Sequence, residues 1–207
     1  MQRVNQTVND WRLGFVILAT VFLWSCSNKV KVEASFPDPV INQIPLVLGV
    51  IYEPEFKQYH YIEADEERSD WEINMGEAQV KLFDTVLNKM FAQVNTLEQL
   101  QPGIKSVDIY FQPTVEEFQY NVPQETQVDM FEVWIKYHLK VYDSDGKLIA
   151  DWIQTAYGKT PAQTFTGDDT ALNEAMVIAL RDIGASFVLR FAHIPEIKNW
   201  LAEHQKI

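Results

Sequence analysis

Residues 128–143 read VDMFEVWIKYHLKVYD, and their periodicity decides the fold. Phe131, Val133, Ile135, Tyr137, Leu139 and Val141 fall on alternate positions, with Glu132, Trp134, Lys136, His138, Lys140 and Tyr142 between them. Successive side chains of a strand point to opposite sides, so this alternation describes a strand with one apolar and one mixed face. Asp143-Ser144-Asp145-Gly146 follows it. Asp145-Gly146 supplies the positive-φ position of a tight hairpin, so residues 147–158 are expected to return as the partner strand.

The other elements are read outward from this hairpin. Residues 45–52, PLVLGVIY, form a short branched apolar run and read as a buried strand. YHYIE (59–63) and DWEIN (70–74) read as two short strands joined by an acidic turn. A helix is expected over about 75–96, with Asn74 and Glu77 as its capping pair and Val80, Phe83, Leu87, Met90, Phe91 and Val94 as its stripe. Residues 105–113 and 116–123 read as strands, 169–193 as a second long helix and 195–204 as a last short one. Hairpin runs of strands with segregated helices mean α+β: a mainly antiparallel sheet with two long helices packed on one face.

Upstream, residues 13–24, LGFVILATVFLW, are a continuous apolar run. It is shorter than the ~20 residues a membrane-spanning helix needs. Arg3 and Arg12 precede it against a single acid, Asp10. A weakly basic start, a short apolar core and a small residue, Ser25, have the form of a secretory signal peptide. The only cysteine of the chain, Cys26, follows at once. Leu23-Trp24-Ser25-Cys26 resembles the lipobox of bacterial lipoproteins, with Trp24 larger than the residue usual there.

That resemblance implies cleavage after Ser25, acylation of Cys26 and attachment to a membrane. Ser27 is not the Asp that retains such lipoproteins in the inner membrane, so the resemblance implies the outer membrane and a periplasmic domain. The expected organisation is then 1–25 signal peptide, 26–44 lipidated N-terminus and tether, and 45–207 a single periplasmic domain. With no second cysteine, no internal disulfide can hold the domain together in that oxidising compartment.

The formal net charge is -12. Without the first 25 residues it becomes -13, from 15 Lys and Arg against 28 Asp and Glu. Such a surface repels phosphate backbones, so nucleic acid is excluded as a partner. Motifs of chemistry are missing. Tyr157-Gly158-Lys159-Thr160 lacks the first glycine of a phosphate loop, Ile153 standing in its place. Aligning Gly146 with the glycine of a calcium-binding loop puts Val141 and Trp152 where acids belong. His60, His138, His193 and His204 have no metal-ligand spacing, and Gly184-Ala185-Ser186 lacks the nucleophile-elbow form. No catalytic residue, metal or cofactor is expected.

The mixed face of the long strand carries Trp134, His138 and Tyr142. Water-facing strands rarely need Trp and Tyr, whereas interface cores are enriched in them. Either these three contribute to a docking surface for a protein partner, or the N-terminal segment or the strands of 59–74 cover them. With its lipobox and element order over 45–193, the chain resembles small periplasmic lipoproteins of the YajG-like, curli-secretion CsgG-like, penicillin-binding-protein-activator and transport-auxiliary kinds. The resemblance implies a non-enzymatic accessory that assists envelope assembly or transport by contacting another envelope protein. A carrier of a lipid or other small amphiphile, bound between sheet and helices, is the alternative.

Overall fold

A computed structural model describes residues 28–65 and 67–204. The leader, the lipobox and Cys26 lie outside the described residues. The strands are β1 (Asn28–Lys31), β2 (Ile44–Ile51), β3 (His60–Ile62), β4 (Trp71–Asn74), β5 (Phe91–Leu97), β6 (Ile109–Asn121), β7 (Met130–Asp143) and β8 (Leu148–Pro161). The helices are α1 (Pro54–Lys57), α2 (Gly76–Met90), α3 (Asp168–Arg190) and α4 (Pro195–His204).

The class is α+β. A five-stranded sheet has the order β5-β2-β6-β7-β8, and a three-stranded sheet the order β1-β4-β3. The β6-β7-β8 meander is antiparallel, as expected. Strand β2 runs parallel to both its neighbours, so the large sheet is mixed. A parallel pair needs a crossover, and α2 lies within the one that joins β2 to β5. The turn after β7 is closed by Gly146 at φ 80.

The apolar face of β7 is the floor of the core: Phe131, Val133, Ile135, Tyr137 and Leu139 are wholly buried. Helices α2 and α3 cover it. Phe83 of α2 meets Phe111 at 5.6 Å and Phe187 of α3 at 5.9 Å between ring centroids, and Phe111 meets Phe187 at 5.2 Å. The tilted and edge-on rings fill the space between the layers with the geometry aromatic pairs favour. The buried amides here are satisfied: Gln79 Nε2 donates to the Phe56 carbonyl and its Oε1 accepts from the Tyr137 hydroxyl, while Gln154 Nε2 donates to the Ser186 hydroxyl of α3 at 2.5 Å.

The approach of α3 to β8 depends on one residue. A Cβ on Gly158 would stand 2.0 Å from the Ala175 carbonyl oxygen and 2.5 Å from the Ala179 amide nitrogen. Only a residue without a side chain allows the helix backbone to lie that close.

Three expectations are corrected. First, α2 ends at Met90, and Phe91–Leu97 is strand β5 rather than more helix. The three-residue spacing of Phe91 and Val94 continues the helical stripe, but both residue types favour strands, and pairing with β2 decides for the strand. Second, Asn74 and Glu77 do not cap α2. Asn74 closes β4, the N-cap is Met75, and Glu77 pairs with Lys31 at 2.8 Å. Third, residues 28–36 are part of the folded body rather than a tether. Strand β1 pairs with β4, Val30 and Val32 are buried, and Ala34 and Phe36 pack against the core.

The expected strands of 105–113 and 116–123 are one strand, β6, which runs through Pro113 with an irregularity between Val115 and Glu117. No described helix is long and apolar enough to cross a membrane.

Candidate functional site

The open face of the meander is where the mixed residues of β7 come to lie. Antiparallel partners share a face, so the register fixes its neighbours. Trp134 sits opposite Tyr157 of β8 and Gln119 of β6; Lys136 sits opposite Thr155 and Glu117; His138 sits opposite Ile153 and Thr114. The small sheet does not cover them. Tyr61 of β3 meets Phe118 at 5.0 Å, and Phe118 registers with buried Ile135, so β1, β3 and β4 pack on the helix side.

Trp134 and Tyr157 form the centre of this face, with ring centroids 5.2 Å apart. The Tyr157 hydroxyl donates to Glu132 Oε1 at 2.6 Å, and its amide donates to Asp182 Oδ2 at 3.1 Å. The bond to Glu132, with partial burial, pushes the phenol up to about 12, so it stays protonated and a donor at neutral pH. Beside the pair is a shallow cavity of about 340 Å³ lined by Glu117, Gln119, Asn121, Trp134, Lys136 and Thr155. Lys136 reaches Glu116 at 3.3 Å and Glu117 at 3.7 Å. Ile153 adds an exposed apolar side chain. Trp and Tyr are the residue types enriched at interface cores, and here charges of both signs frame them.

The three residues expected at this site fall differently. Trp134 is central. His138 lies on the same face and pairs through Nε2 with Asp151 of the adjacent strand. Tyr142 belongs to a second, smaller core, where it packs with Ile51, Val107 and Tyr110 beneath Leu100 and Ile104. Leu100 and Ile104 belong to the segment after β5, which therefore covers this part of the face, and the Tyr142 hydroxyl donates to Gln112 of β6 at 3.2 Å. Tyr157 was not expected. Counted back from the turn, where the Asp143 amide meets the Lys147 carbonyl, Trp134 would oppose Ala156. The irregularity between Val141 and Tyr142 advances its partner by one residue, to Tyr157.

On the other side of the molecule, a surface groove of about 410 Å³ lies between α2 and α3. Leu82, Val86, Val188 and Leu189 line it with Phe36, Pro37 and Pro39 of the N-terminal segment. It sits outside the helix layer, not between helices and sheet.

The remaining histidines have local roles. His60 pairs with Glu72 at 3.0 Å, and His193 and His204 each bond the carbonyl four residues earlier. Among the described residues no three His, Cys, Asp or Glu side chains converge as metal ligands.

No protein-family model matches the chain, and no curated protein matches it in sequence. Several solved structures are similar in shape. A Helicobacter pylori protein described as a neuraminyllactose-binding hemagglutinin homolog aligns at TM-score 0.50 and 12% identity, over 86% of this chain and 100% of its own. A Xanthomonas campestris protein of the DUF330 family aligns at TM-score 0.49 and 13% identity, over 78% of this chain and 90% of its own. A minor lipoprotein from Acinetobacter baumannii aligns at TM-score 0.44 and 9% identity, over 73% of this chain and 94% of its own. With the Helicobacter protein this chain shares its fold.

Proposed function

We propose that the chain is a lipid-anchored accessory protein of the bacterial envelope, acylated at Cys26, attached to the periplasmic face of the outer membrane, and docking a protein partner through its open sheet face. It is of the YajG-like, CsgG-like or transport-auxiliary kind by its order of elements. The signal-like leader and the lipobox at Leu23–Cys26 support the anchor. The observation that carries the docking role is the uncovered Trp134–Tyr157 pair on a sheet whose opposite face is fully packed. The space between sheet and helices is filled by Phe83, Phe111, Tyr137 and Phe187, which argues against a ligand chamber there. No chemistry is assigned to the domain, and the reading is non-enzymatic.

Cys26→Ser is expected to lose palmitate labelling and globomycin-sensitive processing; unchanged processing would contradict the anchor. The Trp134→Ser, Tyr157→Ser double variant is expected to keep its circular-dichroism spectrum. Both side chains are only partly buried and lie outside the packed core, so their loss costs about 1 kcal/mol per site. The same variant is expected to lose the partner cross-linked to the wild-type protein in intact cells. Loss of the fold, or retention of the partner, would contradict the docking role.

A second reading has its own support. The groove between α2 and α3 is lined almost entirely by apolar side chains and could seat an acyl chain, as a carrier would need.

A further inference from the structure

We infer that the end of the molecule carrying Ile62, Arg68, Glu125 and Val128 is held against the bilayer surface, with the strands of the large sheet rising away from it. This rests on the acylation of Cys26 proposed above. Cys26 and Asn28 are two residues apart in the chain, so covalent geometry keeps their Cα atoms within about 7 Å. Asn28 is itself fixed. Its amide donates to the Asp70 carbonyl at 2.9 Å, Lys29 pairs with Glu72 and Lys31 with Glu77, and Val30 and Val32 are buried in the core. A tether reaching to residue 44 would let the domain tumble freely beneath its anchor. Two residues leave almost no slack.

The hydrogen bonds show which end this is. Asn28 registers with Trp71 at the start of β4. Just before it, the Ser69 amide donates to Glu125 Oε1 at 2.8 Å, and Arg68 donates to the Tyr120 carbonyl at 2.8 Å and to Glu125 at 2.9 Å. The anchored terminus is therefore joined to the turn between β6 and β7. Two exposed large apolar side chains lie here, Ile62 at 64% and Val128 at 53% exposure. Asp65, Glu67 and Asp129 are also exposed here, and carboxylates repel anionic headgroups. The contact is thus imposed by the anchor rather than by adhesion. The hairpin of Asp143–Gly146 is at the far end of β7, roughly 40 Å away at about 3.3 Å per strand residue.

Acylation consumes the only native thiol, so an added cysteine is a unique labelling site. Val128→Cys and Asp145→Cys, each labelled with a fluorophore, would be reconstituted as the acylated full-length mature protein in phosphatidylethanolamine–phosphatidylglycerol vesicles containing spin-labelled headgroups. Quenching at residue 128 is expected to exceed that at 145 several-fold. A twelve-residue Gly-Ser insertion between Ser27 and Asn28 is expected to erase most of the difference while the protein stays membrane-bound. Equal quenching at the two sites, or a difference that survives the insertion, would overturn the inference. The mass of the mature N-terminus separates the two failures: an acylated protein with equal quenching sinks the orientation alone, and a protein without acyl mass sinks the anchor and the orientation together.

Discussion

Gly158→Ala is expected to destabilise the domain by about 3 kcal/mol, the upper range for overpacking a tight interior, and Gly158→Val by more. The added Cβ would stand 2.0 Å from the Ala175 carbonyl oxygen and 2.5 Å from the Ala179 amide nitrogen. Both are helix backbone, so no side chain can rotate away. Either α3 lifts off β8 or β8 bends out of the sheet. Lifting α3 also separates Phe187 from Phe83 and Phe111, which opens the middle of the core. In a domain of this size 3 kcal/mol lowers the melting temperature by about 10 °C. Thermal denaturation measures it directly. A midpoint unchanged within about 2 °C would mean that the helix does not lie where it is described.

Glu63→Gln is expected to cost about 2–3 kcal/mol, the range for hydrogen bonds to a charged group whose partners lose it. Glu63 is the buried hub between the two sheets; its side chain is 5% exposed. Its carboxylate accepts from the Tyr61 and Tyr120 hydroxyls and from the Ala64 and Asp65 amides, and pairs with Arg68 at 2.8 Å. Arg68 in turn lies 4.3 Å over the Tyr120 ring. Burial by itself would raise the Glu63 pKa. The Asp65 amide, the Tyr120 hydroxyl, the Arg68 charge and the Tyr61 hydroxyl outweigh it and hold the group below its ordinary value of 4.5.

The pH dependence follows from that sign. A carboxylate depressed in the folded state contributes its full stability above the ordinary value, and loses it as pH falls through the folded value. Stability of the wild-type protein should therefore drop below about pH 4.5, and the gap between wild type and Glu63→Gln should narrow over the same range. Urea titrations between neutral pH and pH 3 would show this. A gap that stayed constant down to the acid limit would mean that ionised Glu63 does not hold the sheets together.

The meander was legible because two signals agreed: strict alternation over residues 131–142 and an Asp-Gly turn at its end. The long helices were legible from their stripes, and their starts to within one residue, but the C-terminal end of α2 was not. Phe91 and Val94 continue the helical stripe at three-residue spacing; the parallel partner β2 overrides it, and the paired residues Ile44 and Leu48 lie 46–47 residues earlier in the chain. The buried face of β1 was illegible for a related reason. Val30 and Val32 alternate with Lys29, Lys31 and Glu33, but four residues between charged neighbours read as solvated chain until β4 is there to pair with them.

The candidate site was half legible. Alternation placed Trp134, His138 and Tyr142 on one face, and they share it. Their separate environments come from parts of the chain that the strand itself does not encode. The segment after β5 takes Tyr142 into the second core. A one-residue irregularity brings Tyr157 to Trp134. Asp151 faces His138 only because β8 pairs in that register. Composition around β7 thus indicates a surface worth using, while its centre is set by register.

The proposed docking role and its alternative use opposite sides of the molecule, so one paired measurement separates them. A photo-crosslinking residue would be placed at Thr155, beside the Trp134–Tyr157 pair, and separately at Val188, in the groove between α2 and α3. Irradiation of intact cells is expected to give a discrete protein adduct from position 155 that disappears in the Trp134→Ser, Tyr157→Ser background, and no lipid adduct from position 188. Lipid captured at 188 with nothing specific at 155 would contradict the docking role and make the domain a carrier.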